Sequence, residues 1–434
     1  MTTSRLDRKS PQVVEQGVKK KHVEILNTTS NTNSPGTKIE FHMTASPDKW
    51  CDLSSATLHG KMGIEVKKRD GGTRWVSMNT FSDPAQVGGM KADSPNWGLV
   101  NNVYHSLFSN CIVTVNNHEV GDTATNAYPY LSYLQTLLST STANANSPVL
   151  AEIGFLKDLA PGQENLHAAG AYHTRRMAFV KNRVVDFHIP LQNDLMNMEK
   201  LLPPNVKLSF MLKRIDDAFL FWNTDGKVGE AAYDYRVVLE VLQIRLNMFE
   251  VEPEVLQDYK NDHVNLPPNK KPEEEKYKFV QNEFKTFAVP ATQTVMRHYD
   301  LFASQHLPDK VYVAVVDQIA FNGATTMNSF NFEMADMQKA FLKVNQDIVP
   351  DPPYEYAAGE NENMCYRTFL ENTGTGPFEL EAVDISNKEW KMATVCMRLI
   401  EAPPLTMDCI TTIPPLARCT SLLRRVYPHL KTTW

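Results

Sequence analysis

The stretch NNVYHSLFSNCIVTVNNHEVGDTATNAYPYLSYLQTLLS, residues 101–139, changes its hydrophobic period part-way along. Residues 111–115 alternate apolar side chains between two faces, which predicts a strand. The asparagines at 116–117 tolerate positive φ and predict a tight turn. Leucines and tyrosines then recur at helical spacing over 130–138, with Asn126 as the predicted helix cap. These residues indicate a strand, a turn and an aromatic amphipathic helix, and no chemistry.

Strand patterns recur on both sides of this stretch and fall into two groups. The first group occupies 38–43, 58–67, 74–78, 184–189, 206–213 and 235–249. The second group occupies 277–289, 310–316, 340–344, 379–383 and 394–399. Between the groups, residues 252–262 suit a helix and the proline-rich segment 266–272 suits a linker. Two strand-rich halves of similar size predict an all-β chain of two tandem β-sandwiches with short helices in the loops.

Composition and charge exclude several classes of protein. The chain has 434 residues, of which 42% are hydrophobic, and a formal charge of −6. This length predicts two or more domains, and the charge argues against a dedicated nucleic-acid binder. The six cysteines form no CxxC pair and predict reduced thiols. The N-terminus lacks an apolar core and no segment approaches the roughly 20 apolar residues of a membrane span, so we expect neither a secretory signal nor a span.

Residues 1–35 form a polar segment that contains NTTSNTNSPG, and this composition predicts a disordered arm. The first 22 residues carry six lysines and arginines against two acidic residues, a charge of +4. Two interpretations stay open for this basic arm. It is a solvated tail, or it touches a polyanion or a neighbouring subunit.

No catalytic motif stands out in the sequence. It contains no HExxH, no GxSxG, no P-loop and no GxGxxG after a strand, and its twelve histidines show no metal-ligand spacing. The acidic groups at 216–217 and 273–275 fall in turn-like or linker sequence and suit solvated charge. The sequence therefore predicts no catalytic, cofactor-binding or metal-ligating residue. It indicates a scaffold rather than an enzyme.

Several short motifs follow one another in a distinctive order along both halves. They are NNVYHSL (101–107) with the strand, turn and helix that follow it, VDFHIPL (185–191), LLPPNVKL (201–208), FKTFAVP (284–290), LPDKV (307–311), FNG (321–323) and NSFNF (328–332). Their order and spacing resemble the double jelly-roll, hexon-like major capsid proteins of polinton-type elements and adintoviruses, which are related to the capsid proteins of large eukaryotic DNA viruses. The resemblance covers roughly residues 38–400.

The resemblance implies two tandem jelly rolls, at 36–262 and 273–410, joined by a linker at 263–272, with 111–115 as a late strand of the first roll. It implies a structural capsid protein whose homotrimers form pseudo-hexameric capsomers that tile an icosahedral shell. The implied partners are neighbouring capsomers and penton or minor capsid proteins, with weak contact of the N-terminal arm with nucleic acid. The implied location is the virion capsid, after synthesis in the host cytoplasm or nucleus.

Two alternatives remain at this stage. One is a minor capsid protein or a host-domesticated, capsid-derived protein of the same ancestry. The other is a jelly-roll carbohydrate-binding protein or enzyme, although the lack of clustered histidines and acidic ligands argues against metal enzymology.

The end of the chain departs from the family pattern. Where the family has strands that close the second roll, residues 411–434 contain the pair Pro414–Pro415 and basic residues without an acidic one. Because a proline pair disfavours a central strand, we expect an atypical basic tail, as in an integrated gene copy that has drifted. The segments expected to be long loops, at a tower or between subunits, are 79–100, 139–175 and 345–378.

Overall fold

The structure is a computed structural model of the chain. The residues that it describes are 18–28, 32–68, 74–80, 97–141, 143–144, 147–157, 171–222, 233–263, 275–289, 295–299, 310–332, 337–344, 347–355, 362–373, 383–387, 390, 395–398, 405–411, 418–426 and 429–432.

The first half of the chain folds into a sandwich of two antiparallel sheets. Its strands are β1 (Val18–Asn27), β2 (Lys38–Met43), β3 (Lys49–Lys68), β4 (Val76–Ser77), β5 (Gly98–Leu99), β6 (Phe108–Val115), β7 (His118–Val120), β8 (Val185–Pro190), β9 (Leu208–Arg214), β10 (Phe221–Trp222) and β11 (Tyr233–Val251). One sheet has the order β1-β11-β3-β8, with β4 also on β3, and the other has the order β2-β9-β6-β7. The short strands β5 and β10 pair with each other.

The second half repeats this arrangement. Its strands are β12 (Glu275–Lys278), β13 (Gln281–Val289), β14 (Val295–Tyr299), β15 (Lys310–Asp317), β16 (Met337–Val344), β17 (Asp347–Glu355), β18 (Val395–Arg398), β19 (Leu405–Thr411), β20 (Arg418–Val426) and β21 (His429–Thr432). One sheet has the order β13-β20-β15-β18 and the other β14-β19-β16-β17, while β12 pairs with β21. When the eight main strands of each half are numbered along the chain, both halves have the sheet orders 1-8-3-6 and 2-7-4-5. Eight strands in two such sheets form a jelly roll.

Short helices lie in the connections between the strands, as the sequence predicted. They are α1 (Val103–Ser106), α2 (Ala127–Ser139), α3 (Pro148–Glu152), α4 (Ala171–Lys181), α5 (Pro253–His263), α6 (Gln318–Asn322) and α7 (Glu362–Thr373). α2 lies between the fifth and sixth strands of the first roll, and α7 lies between the fifth and sixth strands of the second. The predicted helix over 252–262 is confirmed as α5.

Strand alternation determines which side chains form the core. In the sheet of β1, Leu26, Ile244, Leu58 and Ile189 lie side by side on neighbouring strands. All four are buried, and each buried aliphatic side chain contributes about 1.5–3 kcal/mol relative to an exposed one. Ile25, one residue before Leu26, points to the opposite face and is 46% exposed.

The strand, turn and helix predicted within residues 101–139 are all present. The strand is β6, the turn holds Asn116 and Asn117 at φ of 46° and 69°, and the helix is α2. β6 is the fourth of eight strands, so its prediction as a late strand was wrong. Asn126 occupies the predicted cap position at φ 55°, but its side chain makes no capping hydrogen bond.

The prediction of a disordered arm is wrong for residues 18–27, because they form β1, the first strand of the first roll. Leu26 is the one buried side chain of β1, so the apolar alternation by which a strand is recognised is missing. Residues 1–17 of the arm lie outside the described residues. Of the predicted linker at 263–272, only His263 is among the described residues. The limits of the linker therefore stay predictions.

The prediction of an atypical tail at 411–434 is wrong for the described residues 418–426 and 429–432, which form strands. β20 is the central strand between β13 and β15, and β21 pairs with β12. The last strands therefore close the second roll, which removes the observation behind the interpretation of a drifted gene. Pro414–Pro415 lies outside the described residues.

Two further expectations change with the structure. The expected loop at 345–378 contains β17 and α7, whereas most of 79–100 and residues 158–170 lie outside the described residues.

Asp217 is not solvated charge: its side chain is 15% exposed and pairs with the buried Arg214 at 2.6 Å. Asp216 accepts a hydrogen bond from the N–H of Ala218.

The junction between the two rolls as candidate functional site

The described region in which the two rolls meet, called here the roll junction, is built around α2. This helix packs on β6 of its own roll and on β13, the first strand of the second roll. From the second roll, α6 and residues 328–332 approach the 3₁₀ turn Asp217–Phe219 of the first roll. A helix in one roll thus lies against the opening strand of the other.

Aromatic side chains from both rolls fill the roll junction around Tyr130 of α2, which is fully buried. Its ring stacks with Phe284 and Phe321 at centroid distances of 6.0 and 5.4 Å and meets the edge of Phe330 at 5.5 Å. Tyr133, three residues and nearly one turn further along the helix, stacks on Phe330 at 4.4 Å. Such aromatic pairs add about 0.5–1.5 kcal/mol each beyond the area that they bury.

Hydrogen bonds cross the roll junction beside these rings. The Tyr130 hydroxyl donates to the Ser329 carbonyl at 2.9 Å, and the Ser329 hydroxyl donates to the Phe219 carbonyl at 3.2 Å. The Asn126 side-chain amide donates to the Phe321 carbonyl at 2.9 Å. Asn126 therefore uses its amide to bind the other roll instead of capping its own helix.

Asp122 covers part of the open edge of β13. Among the described strands β13 pairs with β20 alone, so its other edge presents unpaired N–H groups. One Asp122 oxygen accepts the N–H of Phe284 at 2.6 Å, and the other accepts the N–H of Ala124 at 2.8 Å. The local turn that Asp122 makes with Ala124 thus orients its carboxylate toward the second roll.

Asp194 covers the same edge of β13 at Asn282, two residues before Phe284. Its two oxygens accept hydrogen bonds from the backbone N–H of Asn282 at 3.0 Å and from the Asn282 side-chain amide at 2.6 Å. Asn193 positions Asp194, because its side-chain amide donates to the carbonyls of Cys111 and Val120, each at 3.1 Å. Two carboxylates of the first roll therefore bind alternate N–H groups of one strand in the second.

Burial raises the pKa of Asp194 to about 7. The two hydrogen bonds from Asn282 favour the carboxylate and lower this pKa, whereas the negative charge of Asp122 raises it. Burial is the largest of these effects, since removing an ionised carboxylate from water is costly. Asp194 lies in a pocket together with Cys111, Tyr128 and Asn282.

His105 and Cys111 of the 101–139 stretch are packing residues. His105 is fully buried, its Nδ1 lies 2.9 Å from the Tyr128 hydroxyl, and burial lowers its pKa to about 3. Burial, together with the charge of Asp194, raises the pKa of Cys111 to about 12. His105 and Cys111 are therefore neutral near pH 7 and suit a hydrophobic interior.

Within the described residues, no group of three or more His, Cys, Asp or Glu side chains is arranged to hold a metal ion. In the same part of the chain, no helix is long and apolar enough to span a membrane.

Sequence analysis assigned no site residue, and it missed the residues that join the rolls. Asp122, Asp194 and Asn282 carry no local signal of this role, because their partners across the roll junction lie 88 to 162 positions away. The motif at 328–332 was identified only through the family resemblance, and it supplies Ser329 and Phe330 to the roll junction.

Comparison with solved structures shows the fold. A chain in the cryo-electron microscopy structure of the Sputnik virophage matches 98% of this chain over 91% of its own length, with a TM-score of 0.57 and 11% identity. The faustovirus major capsid protein matches 95% of this chain over 90% of its own, with a TM-score of 0.51 and 8% identity. The mavirus major capsid protein matches 99% over 92%, with a TM-score of 0.49 and 11% identity.

The prediction of two tandem jelly rolls is thereby confirmed. The solved structures that the chain resembles include viral major capsid proteins. No protein-family model and no curated protein matches the chain. The specific relation to polinton-type elements and adintoviruses stays a prediction.

Proposed function

We propose that this protein is a viral major capsid protein, located in the virion and related to those of polinton-type elements. The observation that carries the proposal is that nearly the whole chain has the fold of a virophage chain and of the faustovirus major capsid protein. No catalytic step is assigned to it. Its role is to present two similar rolls in a fixed relative orientation.

The capsomer is a homotrimer. Each subunit supplies two rolls of identical strand order, so three subunits supply six similar units, which suits a pseudo-hexagonal tile. The buried aromatic side chains and hydrogen bonds of the roll junction support this role, because they hold the two rolls of a subunit as one body. Its partners are further copies, neighbouring capsomers, and penton or minor capsid proteins.

Light scattering during size-exclusion chromatography tests the assembly state. The expected mass is three times the 49.1 kDa of the chain, and negative-stain images should show pseudo-hexagonal particles. A stable 49.1 kDa species at micromolar concentration would contradict the trimer. Copy number in purified particles separates a major from a minor capsid protein.

A further inference from the structure

The outer face of the sheet β1-β11-β3-β8 carries an arginine that has no hydrogen-bond acceptor for one of its nitrogens. Strand alternation turns Arg245 of β11 away from the core, since its neighbour Ile244 is buried. The Nε atom of Arg245 is itself buried and donates no hydrogen bond within the part of the chain that the structure describes. Because a buried donor without an acceptor is costly, Arg245 favours a ligand that supplies one.

Three other arginines of the first roll show what Arg245 lacks. Each of them faces a carboxylate: Arg183 with Glu240, Arg214 with Asp217, and Arg236 with Glu65. No ion pair of this kind forms at Arg245 among the described residues. Its positive charge therefore remains available to a further negative group.

Thr57 of β3 lies between Arg245 and a histidine. Arg245 and Pro190 are its cross-strand partners on the two sides. The Nε2 atom of His188, from β8, lies 2.7 Å from the Thr57 hydroxyl. His188 thus reaches from its own position on β8 toward the position of Arg245. A guanidinium, a hydroxyl and an imidazole follow one another across three strands.

A second imidazole adjoins this group. His59 of β3 is the direct cross-strand partner of His188, and the centres of the two rings are 5.9 Å apart. An imidazole donates one hydrogen bond when it is neutral and two when it is protonated, and a hydroxyl donates one. Together with the guanidinium, these side chains place several N–H and O–H donors on one face of the sheet.

The charges around His188 favour an anion over a metal ion. Burial lowers the pKa of His188, and the charges of Arg245 and His59 lower it further. On the same face, Lys61 of β3 and Asp186 of β8 lie 3.7 Å apart and offset each other. The position of β1 opposite Arg245 holds an isoleucine. Surroundings that resist a proton also resist a metal cation, whereas they attract a negative group.

We propose that Arg245, Thr57 and His188 bind a small inorganic oxyanion, of the class of phosphate and sulfate, on the outer face of the first roll. His59 adds a donor to the same site. The planar guanidinium donates parallel hydrogen bonds to two oxygens of such an anion, and the hydroxyl and imidazole groups donate to the others. All four residues belong to one roll of one chain, so the site does not depend on the trimeric capsomer.

Isothermal titration calorimetry of the full chain with sulfate, at constant ionic strength, tests the site. Arg245→Gln removes the guanidinium charge and should weaken sulfate binding at least about tenfold, since hydrogen bonds between charged groups are the strong ones. Arg183→Gln is the matched control, because Arg183 already pairs with Glu240 and its side chain is 67% exposed. The control should bind sulfate as the wild type does.

Three results would overturn the proposal. The first is a wild type that does not bind sulfate at about 10 mM. The second is equal binding by the wild type and Arg245→Gln, which would show an adventitious ion only. The third is an equal loss in Arg183→Gln, which would show a general attraction of anions to positive charge on the surface.

A measurement on the wild type covers the case in which Arg245→Gln does not fold. Diethyl pyrocarbonate modifies accessible imidazoles, and mass spectrometry locates the modified residues. Sulfate should slow the modification of His59 and His188. The modification of His42 on β2, whose side chain is 70% exposed, should not change. Unchanged rates at His59 and His188 on addition of sulfate would overturn the inference.

Discussion

The first strands of the two rolls occupy the same position in their sheets, yet their free edges differ. β13 meets Asp122 and Asp194 of the first roll, which accept its outward N–H groups. β1 receives no such acceptor from the other roll among the described residues, and it exposes Val23. One strand order can thus present a closed or an open edge. The difference depends on a few side chains of the neighbouring unit rather than on the roll itself.

The largest loss of unfolding free energy is expected from Tyr130→Ala, at the roll junction beside the closed edge of β13. The substitution removes the ring that joins aromatic side chains of both rolls, and loss of a buried aromatic residue costs about 3–5 kcal/mol of unfolding free energy. Guanidinium unfolding followed by tryptophan fluorescence measures the change. On the open edge, Ile25→Ala should cost less than about 0.5 kcal/mol in the monomeric chain. Similar losses for both variants would remove the distinction between the two edges.

Next in size is the effect of Asp194→Asn, which changes how stability depends on pH. Burial raises the pKa of Asp194 from its ordinary value of 3.8 to about 7. Because the folded chain then binds a proton that the unfolded chain has released, this contribution to stability is complete below about pH 4 and is lost as pH rises to 7. Relative to the variant, the folded-to-unfolded ratio of wild type should fall by up to roughly tenfold per pH unit in that window.

Denaturant midpoints between about pH 5 and 8 measure this difference. Asp186→Asn is the matched control, because the Asp186 side chain is 67% exposed. Its plot of denaturant midpoint against pH should run parallel to that of wild type. If the Asp194→Asn curve also runs parallel to wild type, Asp194 titrates alike in the folded and unfolded chains and the pH dependence lies elsewhere.

A smaller effect is expected where backbone meets backbone at the roll junction. Gly323 has φ 89°, and a Cβ there would lie 3.1 Å from the backbone nitrogen of Phe219 in the first roll. Gly36 has φ 76° with nothing within 4 Å of its Cβ position. Both alanine variants carry the cost of positive φ, about 1–2 kcal/mol. Gly323→Ala should cost roughly 1 kcal/mol more, by thermal or denaturant unfolding, because Phe219 must shift. Equal losses of stability in the two variants would show that Phe219 shifts away from the added Cβ at no measurable cost.

Local patterns predicted much of the fold, and long-range contacts explain what they missed. β6, the turn at 116–117 and α2 follow from residues within a few positions of one another. β1 was missed because a strand with one buried side chain has no apolar period. The final strands were missed because Pro414–Pro415 suggested an interruption. The roll junction lies beyond such patterns, since Tyr130 and Ser329 are 199 positions apart.

The smallest effect concerns Asn126, which stands where a helix cap was predicted. Asn126→Gly keeps the positive φ of 55° but removes the amide that donates to the Phe321 carbonyl across the roll junction. The loss of one buried hydrogen bond should cost about 1 kcal/mol of unfolding free energy. Asn205, exposed and at φ 64°, is the matched control, and Asn205→Gly should stay within about 0.5 kcal/mol of wild type. If both variants are equally mild, the aromatic rings hold α2 against the second roll without help from this hydrogen bond.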